Sequence, residues 1–167
     1  LSTGSPLGEP SFEYVYHKVK KDILLASVSG GTDIISCFLG GNTCLPVHSG
    51  ELQCKALGMD VKVLNAEGKA VVNEKGELTC HNAFPSMPIG FWNDPNKEKY
   101  RAAYYATYGD KWCQSDMAEE IEHPGGMNGF VIHGRSDTVL NPGGVRIGTA
   151  EIYRQIEAIP EILESVV

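Results

Sequence analysis

A largely apolar run, Ile23 to Val28, leads straight into Ser29-Gly30-Gly31-Thr32-Asp33, and this junction narrows what the chain can fold into more than any other feature. The run reads as a buried strand, and the glycine pair after it reads as a loop. In α/β sheets, ligand-binding loops stand at such strand ends. Two adjacent glycines let the backbone approach a ligand, Thr32 offers a hydroxyl, and Asp33 offers a hard carboxylate oxygen of the kind that Mg2+ prefers. Taken alone, the pentapeptide is equally at home as a tight turn with a polar rim.

Around this junction the apolar period changes twice. Phe12, Val15, Tyr16 and Val19 recur at helical spacing ahead of it. From Gly50 to Cys80 the pattern is that of an antiparallel meander, with Val61 and Val63 alternating with polar neighbours and turns expected at 65–68 and 74–76. Asp94-Pro95 suits a helix start, Tyr100, Ala103, Tyr104 and Thr107 share one face, and Gly109 closes the helix. Short strands are expected over Trp112–Ile121 and Gly129–His133, parted by Pro124-Gly125-Gly126. A Gly- and Pro-rich loop, 141–144, then precedes a last helix capped by Thr149, with Ile152, Ile156 and Ile159 on one face and Pro160 at its end. Ser165-Val166-Val167 looks like a strand cut at its start, which suggests truncation. There is no internal repeat.

Composition excludes several classes of function. With 42% hydrophobic residues in 167, the chain can bury a core. No apolar run approaches the roughly 18 residues that span a bilayer, and no signal-like segment opens the chain. A formal charge of -7 argues against nucleic acid as a partner. The five cysteines are odd in number and lack Cys-x-x-Cys spacing, which favours reduced thiols and a cytoplasmic location. The five histidines are dispersed and form no zinc pattern.

Two further stretches carry chemistry. Trp112-Cys113-Gln114-Ser115-Asp116 places a carboxylate near a strand end, where it could be a solvated side chain or could accept from two vicinal ribose hydroxyls. The stretch from Gly134-Arg135-Ser136-Asp137 to Arg146 and Ile152 combines two arginines, a Gly/Pro loop and a capped helix. Arginine's planar, permanently charged fork suits ribose or phosphate, and equally a salt-bridged surface loop.

Taken in order, Ser29 to Asp33, Gly76-Glu77-Leu78 with Gly90-Phe91-Trp92, the strand ending in Asp116, and Gly134 to Asp137 resemble successive core motifs of the adenylate-forming superfamily. The wording of Leu1 to Leu7, Ser29 to Phe38 and Leu140 to Arg146 is similar to the acetoacetate-CoA ligases, the acetoacetyl-CoA synthetases, over essentially the whole chain. The resemblance implies an α/β (α+β) segment of the adenylate-forming fold. Residues 1–136 would be the C-terminal part of the large AMP-binding domain, including a β-barrel-like subdomain. Residues 137–167 would be the hinge and the start of the small C-terminal domain.

It also implies an enzyme that forms acetoacetyl-adenylate and pyrophosphate from acetoacetate and ATP, then acetoacetyl-CoA and AMP, with Mg2+ and CoA. Its partners are those small molecules and the remainder of its own polypeptide, with neither nucleic acid nor membrane. Gly4, Ser5 and Pro6 resemble the adenine-side strip. Gly31 and Thr32 resemble phosphate contacts, and Thr32 and Asp33 carry the catalytic and Mg2+ roles. Asp116 and Arg135 match the ribose-holding pair, Asp137 the hinge, and Arg146 a phosphate-facing arginine. Ser29 and Gly30 match the acyl pocket, and Gly143 and Gly144 the border of the pantetheine tunnel.

The sequence departs from the superfamily pattern at Asp33, commonly Glu, and at Ser115, commonly Gly. A phosphate loop ending in Lys and a late Lys are absent from these 167 residues. Acetate-specific relatives carry Trp where this chain has Gly30, so Gly30→Trp is expected to move selectivity towards acetate. The alternatives are another short-chain acyl-CoA synthetase, or an inactive β-rich scaffold.

Overall fold

The computed structural model describes residues 1–138, 149–157, 159, 161–162 and 165–166. Its architecture is mixed α/β. One antiparallel sheet of three strands has the order β1 (Ser29–Gly31), β2 (Ser36–Gly40), β3 (Cys54–Lys55). A second antiparallel sheet has the order β4 (Val61–Leu64), β5 (Lys75–Cys80), β6 (Trp112–Ile121), β7 (Gly129–Arg135). The sheets meet at an isolated antiparallel bridge where Leu52 and Phe130 exchange both backbone hydrogen bonds, at 2.8 and 2.9 Å. Among the described residues no strand closes them into a barrel.

The meander is legible in side-chain alternation. On β4, Val61 and Val63 are buried while Lys62 is half-buried, as a sheet with one covered face requires. The expected turn at 65–68 is present, closed by Gly68 N–H donating to the Asn65 carbonyl at 2.9 Å. The second turn falls earlier than 74–76. Asn73 takes the left-handed conformation (φ 56°), and Lys75 and Gly76 already belong to β5. Asn tolerates that region better than most residues. Gly76 is needed for another reason: a Cβ there would run into the Leu64 carbonyl on the adjacent strand.

The run Ile23–Val28 is not a buried strand. It makes only a parallel bridge between Ser2 and Ser27, and Ile23 and Leu24 are exposed while Leu25 is buried. The strand begins at Ser29, so the glycine pair lies inside a hairpin rather than beyond it. Apolar content alone does not fix where pairing starts. Upstream, α1 (Glu9–Tyr14) continues as a π-helical turn over Val15–Val19, and Phe12 alone of that stretch is buried.

Helix α2 (Glu98–Tyr104) starts three residues after Pro95, with Lys97 at φ 57°. Asp94 still serves as its anchor, because its carboxylate accepts the Tyr100 N–H at 2.9 Å, and that bond is the main reason its pKa is lowered. The helix lays Tyr104 flat on Trp112, with ring centroids 3.7 Å apart and planes 14° from parallel. Phe84, Phe91, Tyr100 and Tyr105 pack edge-on around this pair. Such contacts each add about 0.5–1.5 kcal/mol beyond burial. They weld α2 to the start of β6.

The last helix, α3 (Thr149–Glu157), lies against β7, and Lys75 reaches Glu151 on it at 2.6 Å. Thr149 is its first residue rather than its cap, and Ile159 lies past its end. Ser165 and Val166 belong to no strand, and Val166 is exposed. Val139 to Gly148, Pro160 and Val167 lie outside the described residues. No described helix is long and apolar enough to cross a membrane.

Gly76→Ala should displace β4 from β5 and cost about 1–3 kcal/mol, read as a lower midpoint of urea unfolding. An unchanged midpoint would show that the two strands separate freely at Leu64.

Candidate nucleotide site

Asp116 and Arg135 face each other as register partners on β6 and β7. Arg135 Nη1 stands 3.6 Å from Asp116 Oδ1, an ion pair longer than a hydrogen bond. The same guanidinium makes a two-pronged contact with Asp137, Nε to Oδ1 at 3.0 Å and Nη2 to Oδ2 at 2.7 Å. Asp116, expected to hold ribose, and Asp137, expected to form the hinge, therefore share the Arg135 cation. The bonds from Arg135 hold the Asp137 carboxyl below its usual range.

Asp116 is buried, and burial pushes its pKa up against the opposing pull of Gln114 and Arg135. Its neighbour Ser115 takes φ 63°. A Gly, which the resemblance leads one to expect at this position, would meet this backbone demand freely, whereas Ser115 meets it at a conformational cost of about 1–2 kcal/mol. The Ser115 carbonyl accepts the Ser136 N–H at 2.8 Å, which prolongs the β6–β7 pairing past Arg135. Close by, burial pushes the Cys113 thiol up to about 11, so it is a neutral thiol beside Glu77.

The Ser-Gly-Gly strand is joined to Asp116 by Gln114, a residue whose role is not apparent from sequence. Its Nε2 donates to the Gly30 carbonyl at 2.9 Å and to Asp116 Oδ2 at 2.7 Å, and its Oε1 accepts from Trp112 Nε1 at 3.4 Å. A Cβ on Gly31 would lie 3.1 Å from that Oε1. The signal available in sequence was position: two residues before Asp116, on the same face of a strand.

Gly30 sits at a register shift between β1 and β2, and a Cβ there would run into the Ser36 carbonyl. A Trp at this position would have to displace β2 before it filled any pocket, so the expected Gly30→Trp swap is not a simple volume change. Thr32 and Asp33 lie exposed in the β1–β2 turn. The Asp33 carboxylate accepts the Tyr104 hydroxyl, whose pKa is raised chiefly by burial and then by that bond. Asp33 thus ties the turn to the Tyr104–Trp112 stack.

Gly4, Ser5 and Pro6 are exposed, just beyond the Ser2 backbone pairing that runs beside residues 26–28. Gly76-Glu77-Leu78 forms the middle of β5, and Glu77 pairs with Met117 next to Asp116. In Gly90-Phe91-Trp92, Phe91 covers Tyr100 and Tyr104 while Trp92 faces solvent. Gly143, Gly144 and Arg146 lie outside the described residues. Two clefts lie elsewhere, one lined by Met87, Lys97, Tyr100, Arg101 and Tyr105 among others, the second by Lys75, His133, Glu151 and Gln155. Asp116 and Arg135 line neither.

No protein-family model matches the chain. It is 57% identical over 164 residues to the acetoacetyl-coenzyme A synthetase of Rhizobium meliloti (strain 1021), covering 98% of this chain and 25% of that protein. It is 50% identical over 165 residues to the acetoacetyl-CoA synthetase of Xenopus tropicalis, covering 99% of this chain and 24% of the relative. The chain is homologous to a segment of the acetoacetyl-CoA synthetases. That segment spans about a quarter of the length of the curated relatives.

The solved acetoacetyl-CoA synthetase from Streptomyces lividans superposes with a TM-score of 0.84 at 42% identity, over 98% of this chain and 25% of that one. The anthranilate CoA ligase AuaEII, solved with anthranoyl-AMP, gives 0.71 at 19% identity over 94% of this chain and 28% of its own. The latter likeness speaks for the fold alone. The fold of this chain is thus one that both CoA-ligase structures share.

A carboxyl whose folded pKa lies above its unfolded one favours the folded state in its protonated form. That contribution is full below the unfolded value and is lost as pH rises through the folded value. Asp116→Asn should therefore raise the melting temperature near neutral pH and lose that advantage towards about pH 4. A lower melting temperature at neutral pH would show that the charge stabilises the fold.

Proposed function

We propose that this segment supplies the ribose clamp, the hinge and part of the acid-side wall of an ATP-dependent acetoacetate-CoA ligase. The observation that carries the reading is the meeting of Asp116 and Arg135 across β6 and β7 in a chain 57% identical to an acetoacetyl-coenzyme A synthetase. A carboxylate can accept from both ribose hydroxyls while an adjacent guanidinium donates to the same sugar. In the first half-reaction the acetoacetate carboxylate attacks the ATP α-phosphate and pyrophosphate leaves. In the second, the CoA thiol attacks the acyl carbon and AMP leaves.

In this reading Ser29 and Gly30 border the acid through their backbone, because a side chain at Gly30 is excluded by β2. Gly4, Ser5 and Pro6 lie along the adenine, and Gly31, Thr32 and Arg146 address the phosphates. Gly143 and Gly144 flank the CoA arm. Asp33 is an exposed hard oxygen with one neighbouring hydroxyl, which fits a Mg2+ ion that takes its other ligands from phosphates and water. Bound there, the ion would neutralise phosphate charge. Residues 1–136 act as part of the large domain and 137–167 as the hinge and the start of the small one. The remaining phosphate-binding groups belong to the rest of the polypeptide, and the ligase works in the cytoplasm.

The test is acetoacetate-dependent ATP–pyrophosphate exchange by the full-length protein. Asp116→Ala should raise the KM for ATP by at least about tenfold, the scale of a lost hydrogen bond to a charged group. Wild-type exchange kinetics in that variant would remove Asp116 from the nucleotide site. The segment alone should show no exchange, and exchange by the purified segment would overturn the division of groups drawn above.

The hinge makes a separate claim, since one site serving two half-reactions needs its surroundings changed between them. Asp137→Pro fixes φ near -65°. Exchange should then stay near wild type, while thioester formation from preformed acyl-adenylate falls by at least about tenfold. Equal loss of both half-reactions would remove Asp137 from the hinge.

A further inference from the structure

We propose that Gln114 is a positioning residue that fixes the Asp116 carboxylate for ribose and ties it to the acid-side strand β1. This rests on the nucleotide reading above. The amide's orientation follows from its partners: Nε2 lies between two acceptors, Gly30 O and Asp116 Oδ2, and Oε1 faces the Trp112 indole N–H. Turned over, the amide would set its oxygen against two oxygens and its nitrogen against a donor. Both N–H bonds are thus committed, one to each side of the site.

Among the described residues, the bond from Gln114 is the one hydrogen bond that the Asp116 carboxylate accepts, since Arg135 stands off at 3.6 Å. That bond settles which oxygen is anchored. Oδ2 is held towards β1, and Oδ1 is left facing Arg135, where a sugar hydroxyl can be shared between carboxylate and guanidinium. The same amide holds the Gly30 carbonyl at the register shift of β1 on β2. Gly31 leaves room for it, because a side chain there would press on Oε1. Acid side and ribose side are therefore set by a single group whose base is pinned to the buried Trp112.

A positioning role differs from a packing role in which substrate feature it affects. In the full-length protein, kcat/KM for exchange should be measured with ATP and with 2′,3′-dideoxy-ATP, in wild type, Asp116→Ala, Gln114→Leu and Gln114→Glu. Gln114→Glu keeps the reach and the acceptor for Trp112 while removing both donors, so it carries the test if Gln114→Leu fails to fold. The preference for ATP over the dideoxy nucleotide should fall at least about tenfold in Asp116→Ala and in either Gln114 variant. If Asp116→Ala loses the preference and the Gln114 variants keep it, with both nucleotides slowed alike, Gln114 is a packing residue and the inference is overturned. If Asp116→Ala itself keeps the preference, the ribose reading fails, and this inference with it.

Discussion

A carboxylate withdrawn from water must be paired or hydrogen-bonded, and unpaired burial of such a charge is among the costliest defects a fold can carry. Asp116 imposes that demand on this chain. Its burial raises its pKa, and Gln114 and Arg135 are what oppose the rise. Meeting the demand draws in both sheets. Arg135 arrives because β7 pairs with β6 in register, and Gln114 arrives because β1 lies close enough to lend the Gly30 carbonyl. The Trp112 indole, itself covered by Tyr104, keeps Gln114 from turning away.

Seen from that carboxylate, the aromatic cluster is more than filling. Trp112 is the first residue of β6 and Asp116 the fifth, so the stacked aromatic pair and the buried carboxylate share one strand, four residues apart. Tyr104 links them further, with its ring on Trp112 and its hydroxyl on Asp33 in the turn after β1. The Thr32–Asp33 turn is therefore placed by the same stack that places Gln114. A change in α2 would reach the exposed Thr32–Asp33 turn without touching Asp116 or Arg135.

Much of this was legible in sequence. Alternation at Val61 and Val63, the Asn65 to Gly68 turn and the break at Pro124-Gly125-Gly126 gave β4, β6 and β7 with little error, because period and turn chemistry are local properties. The Ile23 to Val28 run misled, since its apolar content says nothing about where a pairing partner begins. The turn at Asn73 was misplaced because Gly76 suggested a bend, when that glycine answers the close approach of the Leu64 carbonyl. The meeting of Asp116 and Arg135 was legible as residue types in order. Gln114 was not, since an amide two residues from a carboxylate acquires meaning only once β1 is seen beside it. Ser115 could be read only as a departure, and its positive φ supplies the physical content of that departure.

Arg135 is shared. Its fork closes on Asp137 at 2.7 and 3.0 Å while its remaining reach towards Asp116 is 3.6 Å. If the proposed ribose drew the guanidinium towards Asp116, it would loosen the hold on Asp137. Thermodynamic reciprocity would then require the converse: whatever freed Asp137 from Arg135 would tighten the hold on that sugar by the same factor. In the ribose reading proposed above, the guanidinium would act as a balance beam, with occupancy of the sugar on one arm and the Asp137 carboxylate on the other.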